Sequence, residues 1–258
     1  MKNKLYHWLV VALLWFVALL NYLDRQMLST MKPSMMADIH ELASAENFGR
    51  LMAVFLWIYA LMSPVSGIIA DRLNRKWLIV ASLFIWSAVT LLMGYAQTYD
   101  QVYWLRALMG ISEAFYIPAG LSLIADYHDG KTRSLAIGIH TTGIYLGQAF
   151  GGFGATIAEH VSWQSTFHGF GLLGVLYSFV LVLFLKEKKG YNVESARQTS
   201  ILKEFAASFK GIGMLLGNIS FWIIIFYFSA PSLPGWATKN WLPTLLSESL
   251  HLPMAEAG

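Results

Sequence analysis

Four ionisable side chains stand inside stretches of this sequence that are otherwise apolar. Asp24 and Arg25 lie near the end of one stretch, and Arg106 and Glu113 lie within another. A charged group in a lipid-embedded helix costs at least ~2.5–3.5 kcal/mol, so such residues face the protein interior and often mark the path of a substrate or a proton. Carboxylates can take up and release protons, and an arginine can bind a carboxylate through paired hydrogen bonds. The pattern therefore indicates an anion-binding or proton-carrying site.

The spacing of Arg106 and Glu113 places both on nearly one face of a helix. They are seven residues apart, which is about two helical turns, or roughly 10 Å along the axis. Both should then look into the protein. A buried ion-pair network that only fixes helix packing is the structural alternative. We favour a functional role, because buried ion pairs are weak stabilisers.

Polar residues in other apolar stretches are further candidates for a cavity wall. A tyrosine there can also simply satisfy its hydroxyl between helices. With the two arginines, the predicted substrate-binding residues are Tyr22, Arg25, Tyr59, Arg106, Gln148 and Tyr227. A separate repeat, Gly143, Gly147 and Gly151, is typical of helices that pack closely.

The composition identifies the elements that must position these residues. Hydrophobic residues make up 56% of the 258-residue chain and charged residues 13%, against about 25% charged in a soluble domain. The absence of cysteine excludes disulfides, thiol catalysis and Cys-ligated metal sites. Each membrane helix needs about 20 apolar residues. Seven runs of that kind occur, at 5–23, 51–70, 77–99, 107–125, 134–158, 160–185 and 211–238.

The basic residues predict orientation and domain organisation. Thirteen of the 18 lysines and arginines fall on the side of the amino terminus, which predicts a cytoplasmic amino terminus, and the compact loops suggest a cell (inner) membrane. We therefore expect an all-α membrane protein with a six-helix bundle at 1–186, a cytoplasmic linker at 187–212 and the start of a second bundle at 213–258. In the linker, helical spacing predicts an amphipathic helix with its apolar face at Ile201, Leu202, Phe205, Phe209 and Ile212.

The connection between the second and third spans reads Gly67-Ile68-Ile69-Ala70-Asp71-Arg72-Leu73-Asn74-Arg75-Lys76. It resembles the G-x-L-A-D-R-x-G-R-K signature of the major facilitator superfamily, with Asn74, which also tolerates a left-handed turn, at one glycine position. The resemblance implies a bundle of two inverted three-helix repeats, in which the first and fourth helices are equivalent. It also implies a cytoplasmic gating role for Gly67, Asp71, Arg72, Arg75 and Lys76.

Within that superfamily the sequence is most similar to the anion:cation symporters. The matching segments are Asn21–Arg25, Arg106–Ala114, Tyr59 and Trp241–Thr244. This resemblance implies that Asp24 and Glu113 accept protons. It also implies that Arg25 or Arg106 meets the carboxylate of the substrate, with Tyr59 and Gln148 nearby.

The expected function is proton-coupled symport of a small organic anion, such as a sugar acid, by alternating access. Its partners would be the anion, protons and the lipid bilayer, with no cofactor, metal or nucleic acid. The resemblance covers about 60% of a twelve-span family member, so we expect a truncated piece that lacks the C-terminal six-helix bundle and does not transport alone. Other cargo in the same class (a neutral sugar, a peptide or a lysolipid) is one alternative, and a non-transporting receptor or assembly partner is another. An enzyme is disfavoured, since neither H-E-x-x-H nor G-x-S-x-G occurs.

Overall fold

A computed structural model describes residues 2–188, 211 and 213–252 of the chain. In these residues the secondary structure is helical. A 3-10 turn at His40–Ala43 follows the second helix. The helices are α1 Lys2–Thr30, α2 Lys32–Asp38, α3 Ala45–Ala70, α4 Arg75–Met93, α5 Tyr99–Glu113, α6 Tyr116–Tyr127, α7 Arg133–Phe150, α8 Phe153–His160, α9 Trp163–Phe184 and α10 Ile219–Leu250.

Six helical stretches in the described part of the chain are long and apolar enough to cross a membrane. They are Leu5–Thr30, Ala45–Ala70, Arg75–Met93, Tyr99–Tyr127, Trp163–Phe184 and Ile219–Thr238. The first and fourth are longer than predicted. The prediction ended the first span before Asp24 and began the fourth after Arg106, but these charged side chains face the protein interior and the helices continue past them. The predicted fifth span at 134–158 is two helices, α7 and α8. The predicted amphipathic helix of the linker, with Ile201, Leu202, Phe205, Phe209 and Ile212, lies outside the described residues.

Short polar residues begin many of the helices. In each case the side chain accepts a hydrogen bond from a backbone N–H of the first turn, which would otherwise have no partner. The capping residues are Ser44, Asn74, Thr98, Ser162 and Asn218.

Three extensively packed helix pairs show the internal symmetry of the bundle. These pairs are α1 with α7, α4 with α9, and α3 with α5. In the numbering of the predicted spans, in which α7 and α8 together are the fifth and α9 is the sixth, they are 1 with 5, 3 with 6, and 2 with 4. Exchanging the first three spans for the last three converts the first pair into the third and leaves the second unchanged. This is the pattern expected of two three-helix repeats, and it makes α1 and α5 equivalent elements.

Glycines allow α7 to lie directly against α1. A Cβ added at Gly143 would stand 2.6 Å from the carbonyl oxygen of Trp15, and one at Gly147 would stand 2.3 Å from that of Leu19. One at Gly151 would stand 2.3 Å from Gln26 Cβ. The predicted packing role of this repeat is therefore confirmed.

We expect Gly147→Ala to lower the thermal unfolding midpoint of the detergent-solubilised chain. The new methyl group would meet backbone, which cannot move aside, and overpacking of this kind costs about 1–3 kcal/mol. Gly138→Ala is the matched control, because the same helix leaves nothing within 4 Å of a Cβ there. The control should be neutral or slightly stabilising, as alanine is the better helix former. Equal midpoints for the two variants would contradict the close approach of α1 and α7.

Two helix breaks lie beside the central charges. The first, between α5 and α6, directly follows Glu113. Pro118 causes it, since proline has no N–H to donate to the carbonyl four residues earlier and its ring crowds that position. The Ser82 hydroxyl on α4 donates to the carbonyl of Ser112 at 2.6 Å. At the second break, between α7 and α8, the Thr30 hydroxyl donates to the carbonyl of Gly151 at 3.0 Å.

Candidate functional site

The four ionisable residues singled out from the sequence meet in the middle of the bundle. Asp24 and Arg25 come from α1, and Arg106 and Glu113 come from α5. Glu113 is fully buried, Arg106 is 2% exposed and Asp24 is 5% exposed. The two equivalent helices thus bring two carboxylates and two guanidinium groups to one place.

Arg25 and Glu113 form an ion pair between these helices. Arg25 Nε donates to Glu113 Oε2 at 2.7 Å. The guanidinium carbon of Arg25 lies 4.7 Å from the ring centroid of Tyr22, and 4.8 Å from those of both Phe55 and Tyr59. Three aromatic faces therefore surround the cation, an arrangement that stabilises a partly desolvated guanidinium.

Arg106 has no carboxylate partner among the residues that the structure describes. Its Nη1 donates to Met109 Sδ at 3.1 Å, and thioether sulfur is a weak acceptor. Its guanidinium carbon lies 4.6 Å from the centroid of Phe55, the same ring that Arg25 contacts. Although Arg106 and Glu113 share a helix, Glu113 pairs with Arg25 instead. Among the described residues, Arg106 is therefore a buried cation that forms no direct ion pair.

Asp24 turns away from Arg25 and toward α4. Its Oδ2 lies 3.2 Å from the hydroxyl of Thr90. The same hydroxyl lies 3.1 Å from the carbonyl oxygen of Trp86. Thr90 can therefore donate its proton to an ionised Asp24, or donate it to Trp86 while accepting a proton from a neutral Asp24. The local hydrogen bonding suits both protonation states of this carboxyl group.

A cavity of about 390 Å³ opens beside the two arginines, between the bundle and α10. Four predicted site residues, Tyr22, Arg25, Arg106 and Gln148, line it. The remaining lining residues are Gln26, Met52, Phe55, Leu56, Pro231, Ser232, Gly235, Trp236 and Asn240. The cavity thus combines a cationic wall, several aromatic faces and amide or hydroxyl groups.

Two predicted residues are placed differently. Tyr59 is not part of the cavity lining and packs against the guanidinium of Arg25. Tyr227 is 71% exposed and lies away from the cavity, because α10 faces the cavity through later residues. The sequence reasoning missed Trp236 and Asn240 on that helix. Trp236, a large aromatic residue within the predicted seventh span, was an available signal, whereas Asn240 lies just beyond that span.

The Gly67–Lys76 loop, which carries the signature sequence, connects α3 to α4. Its residues also contact α6 and the end of α9. Arg75 forms an ion pair with Asp126 at the end of α6. Lys76 Nζ donates to the carbonyl of Val182 at 2.8 Å, and the Lys76 backbone N–H donates to Glu187 Oε2 at 2.9 Å. The Asp71 N–H donates to the carbonyl of Gly67 at 3.1 Å.

Two further residues of this loop, Arg72 and Asn74, also have well-defined environments. Arg72 is buried, at 8% exposed. Asn74 is extended, with φ −60° and ψ 115°, not in the left-handed turn that its replacement of glycine suggested. Its side chain instead caps α4 by accepting from the N–H of Trp77 at 3.2 Å.

Comparison with known proteins agrees with this architecture. Residues 14–258 match the family described as the Major Facilitator Superfamily. Protein spinster homolog 1 of Xenopus laevis is 30% identical over 93% of this chain and 46% of its own length. The hexuronate transporter of Escherichia coli K12 is 26% identical over 95% of this chain and 58% of its own length. The chain spans about half the length of the curated relatives that it matches.

A solved structure shows the same fold. The crystal structure of a bacterial homologue of the human lysosomal transporter Spinster, in an inward-facing and unoccupied conformation, superimposes with a TM-score of 0.77. Its sequence identity to this chain is 24%, and the match covers 98% of this chain and 58% of that one.

Proposed function

This chain belongs to the major facilitator superfamily, and on that premise we propose that it forms the anion-binding half of a proton-coupled carrier for a small organic anion. The complete carrier would join this six-helix bundle to a second one that begins with α10. Its substrate would bind in the cavity between the bundles. Its amino terminus would be cytoplasmic, as the distribution of lysine and arginine favours, and its compact loops suit a cell (inner) membrane.

Arg106 is the observation that carries this proposal. Among the described residues no carboxylate pairs directly with this buried charge, which is costly to desolvate, and the charge lies on the wall of a cavity large enough for a small ligand. A carboxylate in the cavity would supply the missing direct partner and would form bidentate hydrogen bonds with the planar guanidinium. The hexuronate transporter among the relatives is named for a sugar acid, which is a substrate of this chemical class.

The Arg25–Glu113 pair supplies the coupling step. When Glu113 takes up a proton, its attraction for Arg25 falls, and Arg25 becomes available to the anion beside Arg106. When Glu113 loses the proton, it recaptures Arg25, and the anion loses one of its two cations. Asp24 can carry a second proton, since the hydroxyl of Thr90 can hydrogen-bond either protonation state.

Access to the cavity would alternate by rocking of one bundle against the other. The Gly67–Lys76 loop, with Asp71, Arg72, Arg75 and Lys76, would act as the gate on the cytoplasmic side. Its contacts with Asp126 and Val182 fix the ends of neighbouring spans to each other. With the loop held in this way on its own bundle, charge contacts between the loop and the end of a second-bundle helix would control the rate of the conformational change.

We expect the carrier to distinguish a carboxylic acid from its amide. Competition for uptake by a sugar acid and by the corresponding sugar amide measures this. A charge-assisted hydrogen bond contributes about 1.5–3 kcal/mol, so the amide should compete roughly 10- to 150-fold less well. Equal competition by the two compounds would contradict anion binding. It would favour the main alternative, a major facilitator carrier of a neutral sugar, a peptide or a lysolipid in which the charges serve coupling alone.

A further inference from the structure

A second buried cation lies at the end of the cavity opposite the Gly67–Lys76 loop. Lys32, at the start of α2, is 7% exposed. Its Nζ lies 5.0 Å from the ring centroid of Phe48 and 5.3 Å from that of Trp241. In the described part of the chain it contacts no carboxylate, so these two ring faces are what stabilises its charge.

The two rings come from opposite sides of the cavity. Phe48 belongs to α3 and Trp241 belongs to α10, and their centroids are 5.6 Å apart in an edge-to-face arrangement. Phe48 is one helical turn before Met52, and Trp241 directly follows Asn240. Both Met52 and Asn240 line the cavity. The lysine and its two rings therefore lie between the cavity and that face of the membrane.

The burial of α10 shows how this helix is held to the bundle. From Ile219 to Pro234 its residues are exposed, apart from a half-buried Phe221. Packing against the described residues begins near Gly235 and continues through Trp241. Ala155 also contacts Leu246 and Leu252 near the end of the helix. Within the described residues, α10 thus packs against the bundle at the end near Lys32, and the first half of α10 is exposed.

We propose that Lys32, Phe48 and Trp241 form a cation–π latch that closes the cavity toward the membrane face opposite the Gly67–Lys76 loop. The latch would open whenever the carrier exposes its site to that face. A cation held by aromatic faces suits this role. It attracts strongly enough to hold two helices together, yet it leaves no unpaired carboxylate behind when the ammonium returns to water. This inference rests on the alternating access proposed above.

A thiol-accessibility measurement tests the latch directly. The chain contains no cysteine, so Met52→Cys introduces one reporter in the cavity wall. A membrane-impermeant thiol reagent is applied to sealed vesicles from the latch side, without substrate or proton gradient. Lys32→Met in this background should increase the labelling rate roughly 2- to 30-fold, the range that follows from the strength of a cation–π contact. Lys32→Arg should keep the slow rate, because a guanidinium also binds aromatic faces.

Arg50→Met is the matched control. Arg50 is near the same end of α3 but forms an exposed ion pair with Glu46, so its loss should leave labelling slow. Trp241→Leu should accelerate labelling as Lys32→Met does and keeps the proposal testable if one variant fails to fold. The double variant that combines Lys32→Met with Trp241→Leu should be labelled no faster than the faster of the two single variants, because both substitutions remove the same interaction.

Two results would overturn the latch. One is labelling of Lys32→Met and Trp241→Leu at the parent rate. The other is labelling of Lys32→Arg as fast as that of Lys32→Met, which would show that the charge is irrelevant. Neither measurement requires transport, so a failure of the latch is distinguishable from a failure of the proposed function.

Discussion

Replacing Glu113 with glutamine is expected to abolish uptake driven by a proton gradient while preserving exchange of anion across the membrane. Glu113 Oε2 accepts the hydrogen bond from Arg25 Nε at 2.7 Å, and glutamine reproduces the shape of a protonated glutamate. The variant would therefore resemble the loaded state permanently. It could still bind and release anion, but it could not lose a proton and recapture Arg25.

Two assays on vesicles containing the complete carrier measure this difference. Uptake under an imposed pH gradient should fall to the level of empty vesicles, and counterflow into anion-loaded vesicles should continue at a comparable rate. Glu46→Gln is the control, because Glu46 forms only an exposed pair with Arg50. Gradient-driven uptake that survives in Glu113→Gln would remove this residue from the coupling step.

Replacing Arg106 with methionine is expected to eliminate anion binding without unfolding the bundle. Arg106 is 2% exposed and forms no direct ion pair in the described residues, so its removal breaks no direct ion pair there. Methionine also removes the desolvation cost of the buried guanidinium. Affinity for the anion should fall by roughly 100-fold or more, since both charge-assisted hydrogen bonds disappear.

Arg106→Lys separates the charge of this residue from its shape. Lysine keeps the charge but not the planar fork, so affinity should be intermediate between those of the parent and the methionine variant. Anion affinity is measured by titration in detergent, and the thermal unfolding midpoint of each variant is recorded beside it. A lowered midpoint together with unchanged affinity would assign Arg106 a structural role and would contradict the proposed function.

The helical character and the spans were predictable, because the physical constraint that determines them is local. Lipid offers no hydrogen-bond partners, so each apolar run must satisfy its own backbone as a helix. The glycine repeat at Gly143, Gly147 and Gly151 likewise predicted a close helix contact. The boundaries were less accurate where charged residues lie inside a span. Asp24 and Arg25 suggested an end near residue 23, yet α1 continues to Thr30, because their side chains find partners within the bundle.

The pairing of the charges was beyond what sequence spacing could predict. Arg106 and Glu113 lie two turns apart on one helix, and nothing in that spacing indicates that Glu113 instead meets Arg25 from α1. The residues that α10 contributes to the cavity were equally difficult to predict from the sequence. Tyr227 and Trp236 occur in the same apolar stretch, but only Trp236 reaches the cavity. Side-chain direction at an interface depends on how two helices are rotated against each other, which their separate sequences do not specify.

The amino-acid sequence by itself determined that this chain is a helical membrane protein with charges in its interior, because hydrophobicity and the needs of the backbone act over one helix at a time. The tertiary structure decided which charge has a partner and which has none. Among the described residues, it left Arg106 without a directly paired carboxylate and placed Lys32 beside two aromatic rings. Electrostatic pairing in a medium of low dielectric constant depends on distances of a few ångströms between helices, and those distances exist only once the helices have packed.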